Sequence, residues 1–293
     1  MESRDGASEC GASHNWHIGF LLHVNLTYVR THVKMAMRSA RDCRVTAVTG
    51  VYRSLIAGGT RGLGRSIAKQ SMRRGIEPVV LGRPRPDRSS TIEIDGEAVR
   101  FEPVRIEDDA DVSRCIDRFK VTPSLNFREL FYLPGEHLKG RFCDQPEAAV
   151  RHMVDVTLFG LMNLVRHFHP MKKKPYRLIT VASTTSWRIR PDEAAYGAAK
   201  AAAAQFARNI HQEIVKDLPD ATSLIVHPGG MRTGFWPHGV DTSMFMDTDV
   251  AARLIWEEME AQDRGQWPAL HELHILRGPD GQPILERGPK APQ

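Results

Sequence analysis

Ser54-Leu55-Ile56-Ala57-Gly58-Gly59-Thr60-Arg61-Gly62-Leu63-Gly64 decides how this chain folds. Ser54 to Ala57 is a short apolar run of the kind that fills a strand buried on both faces. It leads straight into a turn whose glycines 58, 62 and 64 have the spacing Gly-x-x-x-Gly-x-Gly. Beyond the turn, Ile67, Ala68 and Met72 recur with helical periodicity as far as Gly75. A strand, a glycine turn and a helix together form the phosphate-cradling start of a dinucleotide fold. Glycine lets the backbone approach a pyrophosphate, and the first helical turn has N–H groups free to bind it. The spacing differs from the commoner Gly-x-Gly-x-x-Gly, so the strand before and the helix after carry the assignment.

The same alternation continues outward from this turn. Strands are expected at Pro78–Leu81, at Val99–Val104 after a turn at Asp95-Gly96, and at Leu130–Leu133, Leu178–Ala182, Ser223–Val226 and Leu273–Leu276. Helices are expected at Asp109–Phe119, at Ala148–Phe168, around Tyr196 and at Val250–Met259. This order predicts an α/β fold of the three-layer Rossmann type, a doubly wound and mainly parallel sheet with helices on both faces. Residues 51–293 read as one such domain. Residues 1–50 read as a poorly ordered N-terminal extension, with a short apolar run from His17 to Val29 and a basic face at Arg30, Lys34, Arg38 and Arg41.

Composition narrows the class. The 293 residues are 41% hydrophobic and 26% charged, which is ordinary for a soluble globular chain. A net charge of +5 with no long basic run gives no support to nucleic-acid binding. Lys172-Lys173-Lys174 is the densest basic cluster and reads as a solvated loop. No segment reads as a membrane span. Cys10, Cys43, Cys115 and Cys143 lie far apart without metal-ligand spacing, which predicts reduced thiols, no metal site and a cytoplasmic location.

Ligands in such sheets bind beyond the carboxyl ends of the strands. Those ends carry the glycine turn with Thr60 and Arg61, Gly82-Arg83, Tyr132 to Gly135, Ser183, and Pro228 to Thr233. The second strand usually ends on an acid that binds a ribose 2′-hydroxyl. Here it ends on Gly82 and Arg83, and Arg61 adds a second cation, so NADP(H) is favoured over NAD(H). Tyr196 and Lys200 are four residues apart and share a helical face. An ammonium beside a phenol lowers its pKa, which would suit Tyr196 to exchange a proton with a substrate oxygen.

Together these segments resemble the short-chain dehydrogenase/reductase family, in its compact single-domain branch. The likeness rests on the Ala57-to-Gly64 turn, on Ser183 thirteen positions before Tyr196, on Tyr-x-x-x-Lys, and on His227-Pro228-Gly229-Gly230-Met231-Arg232-Thr233. It covers about four-fifths of the chain. The resemblance implies hydride transfer between a nicotinamide and a small carbonyl or alcohol substrate, with reduction as the favoured direction. It makes Tyr196 the proton donor or acceptor, Lys200 its partner and contact to the nicotinamide ribose, and Ser183 the donor to the substrate oxygen. Gly58, Thr60, Arg61, Gly62, Leu63, Gly64, Arg83, Tyr132 and Gly135 would hold the cofactor, with Pro228, Gly229, Met231 and Thr233 at its carboxamide end.

The segment from Gly234 to Met246 falls where the family places its substrate lid, so Phe235 and Trp236 are expected to touch an apolar or aromatic substrate. His238 reads as a lid contact or a solvated residue. The resemblance also implies a homodimer or homotetramer. The chain departs from the family pattern at four places. Thr157 stands where an Asn usually serves the proton relay, Arg105 where an aspartate is usual, Ala57 where Thr or Ser is usual, and Tyr132-Leu133-Pro134-Gly135 replaces Asn-Asn-Ala-Gly. These departures keep open an alternative: a catalytically weak or inactive dinucleotide-binding protein of the same fold that senses cofactor or binds a partner.

Overall fold

The computed structural model describes residues 51–122, 125–236, 239–279 and 281–291. The extension over 1–50, including Cys10 and Cys43, lies outside the described residues, as does His238. The unit from Gly50 onward is built on a nine-stranded sheet. Its strands are β1 (Tyr52–Ala57), β2 (Glu77–Gly82), β3 (Thr91–Ile94), β4 (Glu97–Pro103), β5 (Asn126–Tyr132), β6 (Arg177–Val181), β7 (Thr222–Pro228), β8 (Leu270–Arg277) and β9 (Pro283–Arg287). Their order across the sheet is β3-β4-β2-β1-β5-β6-β7-β8-β9. Pairing from β4 through β8 is parallel, and the two edge pairs are antiparallel.

The inner strands are apolar without alternation because helices cover both faces. On one face, α1 (Gly62–Arg73) and α6 (Thr248–Asp263) bury Leu63, Ile67, Ala251, Ile255 and Met259 against Ile56, Val80 and Leu224. On the other, α2 (Asp109–Lys120), α4 (Gly160–Phe168) and α5 (Ala194–Asp217) cover Leu55, Val79 and Leu130 with Ile116, Phe119, Leu161, Leu164, Phe168 and Ala203. Each fully buried side chain of this kind contributes about 2 kcal/mol. Alanines at 195, 199, 203, 204 and 207 are buried in α5, giving that helix a close seat on the sheet. Asp108 and Asp247 start α2 and α6 by accepting from the N–H groups of Asp111 and Asp249.

Two edge strands go beyond the sequence reading. The Asp95-Gly96 turn, with φ of 51° and 83°, closes a β3–β4 hairpin. At the far edge β9 adds one strand outside β8. The expected continuous helix over 148–168 is instead α3 (Glu147–Val154), a π-helical turn (Asp155–Phe159) and α4. The cause is tertiary: the Tyr132 hydroxyl donates to the Val156 carbonyl, and Gly160 leaves space for that hydroxyl and for Ile106. Glu147–Met171 is the one stretch among the described residues long and apolar enough to cross a membrane. In this fold its Leu161, Leu164, Val165 and Phe168 are buried in the core beside the sheet. The lysine cluster also differs from the solvated loop expected. Lys172 is half-buried, donates to the Phe127 carbonyl and lies over the Phe168 and Tyr176 rings, while Lys173 and Lys174 are exposed.

Candidate active site

Between β1 and β5 the winding of the sheet reverses, and a cleft of about 820 Å³ opens beyond the carboxyl ends of the strands. The glycine turn forms one wall. Gly58 and Gly62 have φ of +80° and +53°, which a side chain would strain. A Cβ on Gly64 would overlap the Gly58 carbonyl. A Cβ on Gly58 would lie 3.3 Å from Pro134 N, and one on Gly62 would lie 3.2 Å from the Thr233 methyl, so three segments widely separated in sequence meet here. No side chain caps α1 and its first turn holds no acid, which leaves its N–H groups and positive end for an anion. These features fit a dinucleotide pyrophosphate.

The residues at the adenosine end are less freely disposed than the sequence suggests. Gly82 is required, because a Cβ there would come within 2.9 Å of the Thr60 methyl and 3.0 Å of the Phe101 ring. Arg83 lines the cleft but is bound to Glu136 and lies 3.1 Å from His152 Nε2. Arg61 is exposed at the turn and its side chain does not cap α1. Sequence reasoning missed two residues here. Arg85 lines the same end, paired with Asp87 at 3.0 Å. Glu107 also lines it, and its Oε2 is buried without a partner among the described residues, which suits an amino-group donor.

Ser183, Tyr196 and Lys200 come together in the middle of the cleft. Ser183 leaves the end of β6 and caps a 3₁₀ turn; its hydroxyl accepts from Thr185 N and donates to Thr185 Oγ1, both at 3.2 Å. Tyr196 and Lys200 project from the first turns of α5 and are 6% and 4% exposed. The expected lowering of the tyrosine pKa is reversed. Burial pushes the Tyr196 phenol well above its usual value, although the Ser183 hydroxyl acts the other way. Burial likewise pulls Lys200 down to about 8. Desolvation opposes both charged forms, and Lys200 Nζ donates to the Val181 carbonyl at 3.0 Å.

Of the other expected site residues, Leu63, Gly135, Pro228, Gly229, Met231, Phe235 and Trp236 also line the cleft. Tyr132 does not. It is 1% exposed in the core, where its hydroxyl is committed to Val156. Thr157 lies in the π turn, 1% exposed, and its Oγ1 has no partner among the described residues. A Cβ on Gly135 would be 3.0 Å from Lys200 Nζ and 3.7 Å from Thr157 Oγ1, so Gly135 is what keeps Lys200 and Thr157 close to the cleft wall. Trp236 donates to the Met231 carbonyl at 2.7 Å, which ties the two ends of the 231–236 segment together.

His137 and Glu193 were not legible in the sequence. The His137 ring meets Tyr196 edge-on at 5.1 Å and contacts Trp236 at 4.9 Å and Phe235 at 5.6 Å. Its Nε2 lies 3.5 Å from Glu193 Oε1, and Thr185 Oγ1 donates to Glu193 Oε2 at 3.0 Å. The His137 ring beside it and the Thr185 hydrogen bond hold the Glu193 carboxyl below its usual range despite partial burial. Glu193 is three residues before Tyr196, a spacing that carries no chemical signal until α5 and the Ser183 loop are placed together.

A family model described as short chain dehydrogenase matches residues 53–242. Dehydrogenase RED2 of Cochliobolus heterostrophus is 26% identical over 167 residues, covering 55% of this chain and 60% of that protein. Among solved structures, a short chain dehydrogenase from Burkholderia cenocepacia in complex with NADP superposes with a TM-score of 0.66 at 20% identity, covering 79% of this chain and 97% of that one. An alcohol dehydrogenase from the archaeon Thermococcus sibiricus, complexed with 5-hydroxy-NADP, gives 0.64 at 20% identity, with 77% and 96% covered.

Proposed function

Because the chain belongs to the short-chain dehydrogenase family, we propose that it is an NADP(H)-dependent oxidoreductase acting on carbonyl and alcohol substrates, with ketone or aldehyde reduction as the favoured direction. The observation that carries this reading is the meeting of Ser183, Tyr196 and Lys200 in the cleft that the glycine turn opens. The nicotinamide, when bound, supplies or accepts the hydride. Ser183 Oγ donates to the substrate oxygen and stabilises the charge that develops there. Tyr196 gives that oxygen its proton in reduction and takes it back in oxidation. A phenol held protonated by burial is suited to the donor role. Lys200, with its pKa near 8, is charged at neutral pH and favours the phenolate left behind. Gly58, Thr60, Arg61, Gly62, Leu63 and Gly64 would hold the phosphates, Arg61 and Arg83 a 2′-phosphate, and Gly135, Pro228, Gly229, Met231 and Thr233 the nicotinamide end. Phe235 and Trp236 form the wall against the substrate.

One observation favours a second reading, a cofactor-binding protein with weak chemistry. Among the described residues Thr157 Oγ1 is buried without a partner, at the place where the family relay has an amide. A single experiment separates the two. The protein is mixed with NADPH or NADH and a panel of ketones, aldehydes and quinones, and Tyr196→Phe is compared. The expected result is NADPH-preferring reduction that falls at least a hundredfold in Tyr196→Phe. Equal turnover with NADH refutes the cofactor assignment, and unchanged turnover in Tyr196→Phe refutes the mechanism. Cofactor binding with no turnover decides for the second reading.

A further inference from the structure

Most arginines of this fold are tied to acids, as Arg83 is to Glu136, Arg177 to Asp263, Arg208 to Glu272 and Arg287 to Glu258. Among the described residues, four that line the cleft, Arg61, Arg188, Arg190 and Arg277, form no ion pair with an acid, and of these four Arg188 and Arg277 alone are stacked on aromatic rings. Arg188 follows the Ser183 turn and Arg277 ends β8. Among the described residues neither guanidinium makes a hydrogen bond or ion pair. Each is laid on an aromatic face instead, Arg188 over Trp187 at 4.5 Å and Arg277 over Phe245 at 5.0 Å. Stacking restrains a guanidinium in a preferred direction and leaves its N–H edge free for a planar oxyanion. The nearby acids are already engaged: Glu286 binds Lys290 at 2.7 Å, and Glu193 serves His137 and Thr185.

The position of Arg277 separates it from the cofactor phosphates, and Arg188 lies five residues beyond Ser183 in the chain. β8 is two strands from β6, which delivers Ser183, and four from β1, which delivers the glycine turn. At about 4.8 Å per strand, Arg277 lies roughly 10 Å across the sheet from the Ser183 end and roughly 19 Å from the turn. The interval is floored by rings in contact, from Tyr196 through His137 and Trp236 to Phe245, each step about 5 Å. Such a floor accommodates an apolar or aromatic body with a carbonyl at one end and a charge at the other.

We propose that Arg188 and Arg277 form a substrate subsite for an oxyanion, a carboxylate or phosphate carried on the far end of the carbonyl compound that Tyr196 protonates. This inference rests on the carbonyl-reductase reading, and its test keeps the two separable. The first arm compares 4-formylbenzoate, its neutral methyl ester and 4-formylphenyl phosphate as substrates with NADPH. The expected result is a kcat/KM for the better anion at least tenfold above the ester, carried by KM. That ratio falls toward one in the Arg188→Gln/Arg277→Gln double variant and is partly restored by Arg188→Lys/Arg277→Lys. The choice between carboxylate and phosphate is read from which anion is preferred. An ester that matches both anions, or a ratio that the glutamines do not move, overturns the proposal. The second arm needs no turnover: benzoate and phenyl phosphate are titrated against the NADP-loaded protein by calorimetry. If no aldehyde is reduced, saturable binding that the double variant loses sustains the subsite while the reductase reading fails. Absence of arginine-dependent binding overturns the subsite whatever the kinetics show.

Discussion

Lys200→Met removes the buried ammonium that the proposed chemistry requires and replaces it with an apolar chain of similar length. Burial has moved Lys200 from 10.5 to about 8, a displacement that penalises the charged form by on the order of 3 kcal/mol. The substitution also strips the donor from the Val181 carbonyl, which costs about 1 kcal/mol. The net expectation is a variant more stable than the wild type by about 2 kcal/mol at pH 7 and inactive as a reductase. The sign follows from proton counting. Between pH 8 and 10.5 the unfolded chain holds a proton on Lys200 that the folded chain has released, so wild-type stability rises relative to the variant across that interval. The difference between the two proteins is therefore largest below pH 8 and shrinks toward pH 10.5. Urea unfolding of both proteins at pH 7 and pH 10, with NADPH turnover at pH 7, gives the measurement. A variant less stable than wild type at pH 7, or a difference that does not change with pH, refutes the assignment of a strained lysine. Retained turnover refutes its place in the chemistry.

Two further outcomes follow from the geometry. Tyr132→Phe removes the hydroxyl that donates to the Val156 carbonyl, so unfolding free energy should drop by about 1 kcal/mol in urea titrations; a neutral result would mean the π turn does not depend on that hydroxyl. Burial, and then the stacked His227 ring 4.5 Å away, hold His274 at about 4. The unfolded chain therefore takes up the proton first, and stability present above pH 6.5 is lost as pH falls toward 4. The loss is on the order of 3 kcal/mol, and a His274→Gln variant should show a flatter melting-temperature profile over the same interval.

What the sequence revealed and what it hid follow a physical division. The glycine turn, Ser183, Tyr196 and Lys200 were legible because each depends on short-range spacing: a backbone that must pass close to a phosphate, and two side chains one helical turn apart. Tyr132 was misplaced because a strand's last residue can face the cleft or the core, and only the π turn opposite it supplies a carbonyl that draws it inward. The direction of the Tyr196 shift was misread for a similar reason. Spacing shows that an ammonium is near, but not that both groups are almost fully buried. His137 and Glu193 come from a loop and a helix start more than fifty residues apart, and their meeting is a product of the fold. β3 and β9 are edge strands of four and five residues, too short for the alternation of their isoleucines and leucine to separate them from loop.

The π turn at Asp155–Phe159 also acts as a phase shifter. A π turn takes up about one residue more than an α turn, which rotates everything after it by roughly 100° about the helix axis. Before it, Val150, Met153 and Val154 face Tyr196 and Ala199; after it, Leu161, Leu164 and Phe168 face the sheet. One continuous α-helix over the same residues could not point both sets correctly. Deleting a single residue from the turn would therefore put the segment that shelters the tyrosine out of register with the segment that anchors it. The extra residue is what lets one helix serve both the core and the cleft.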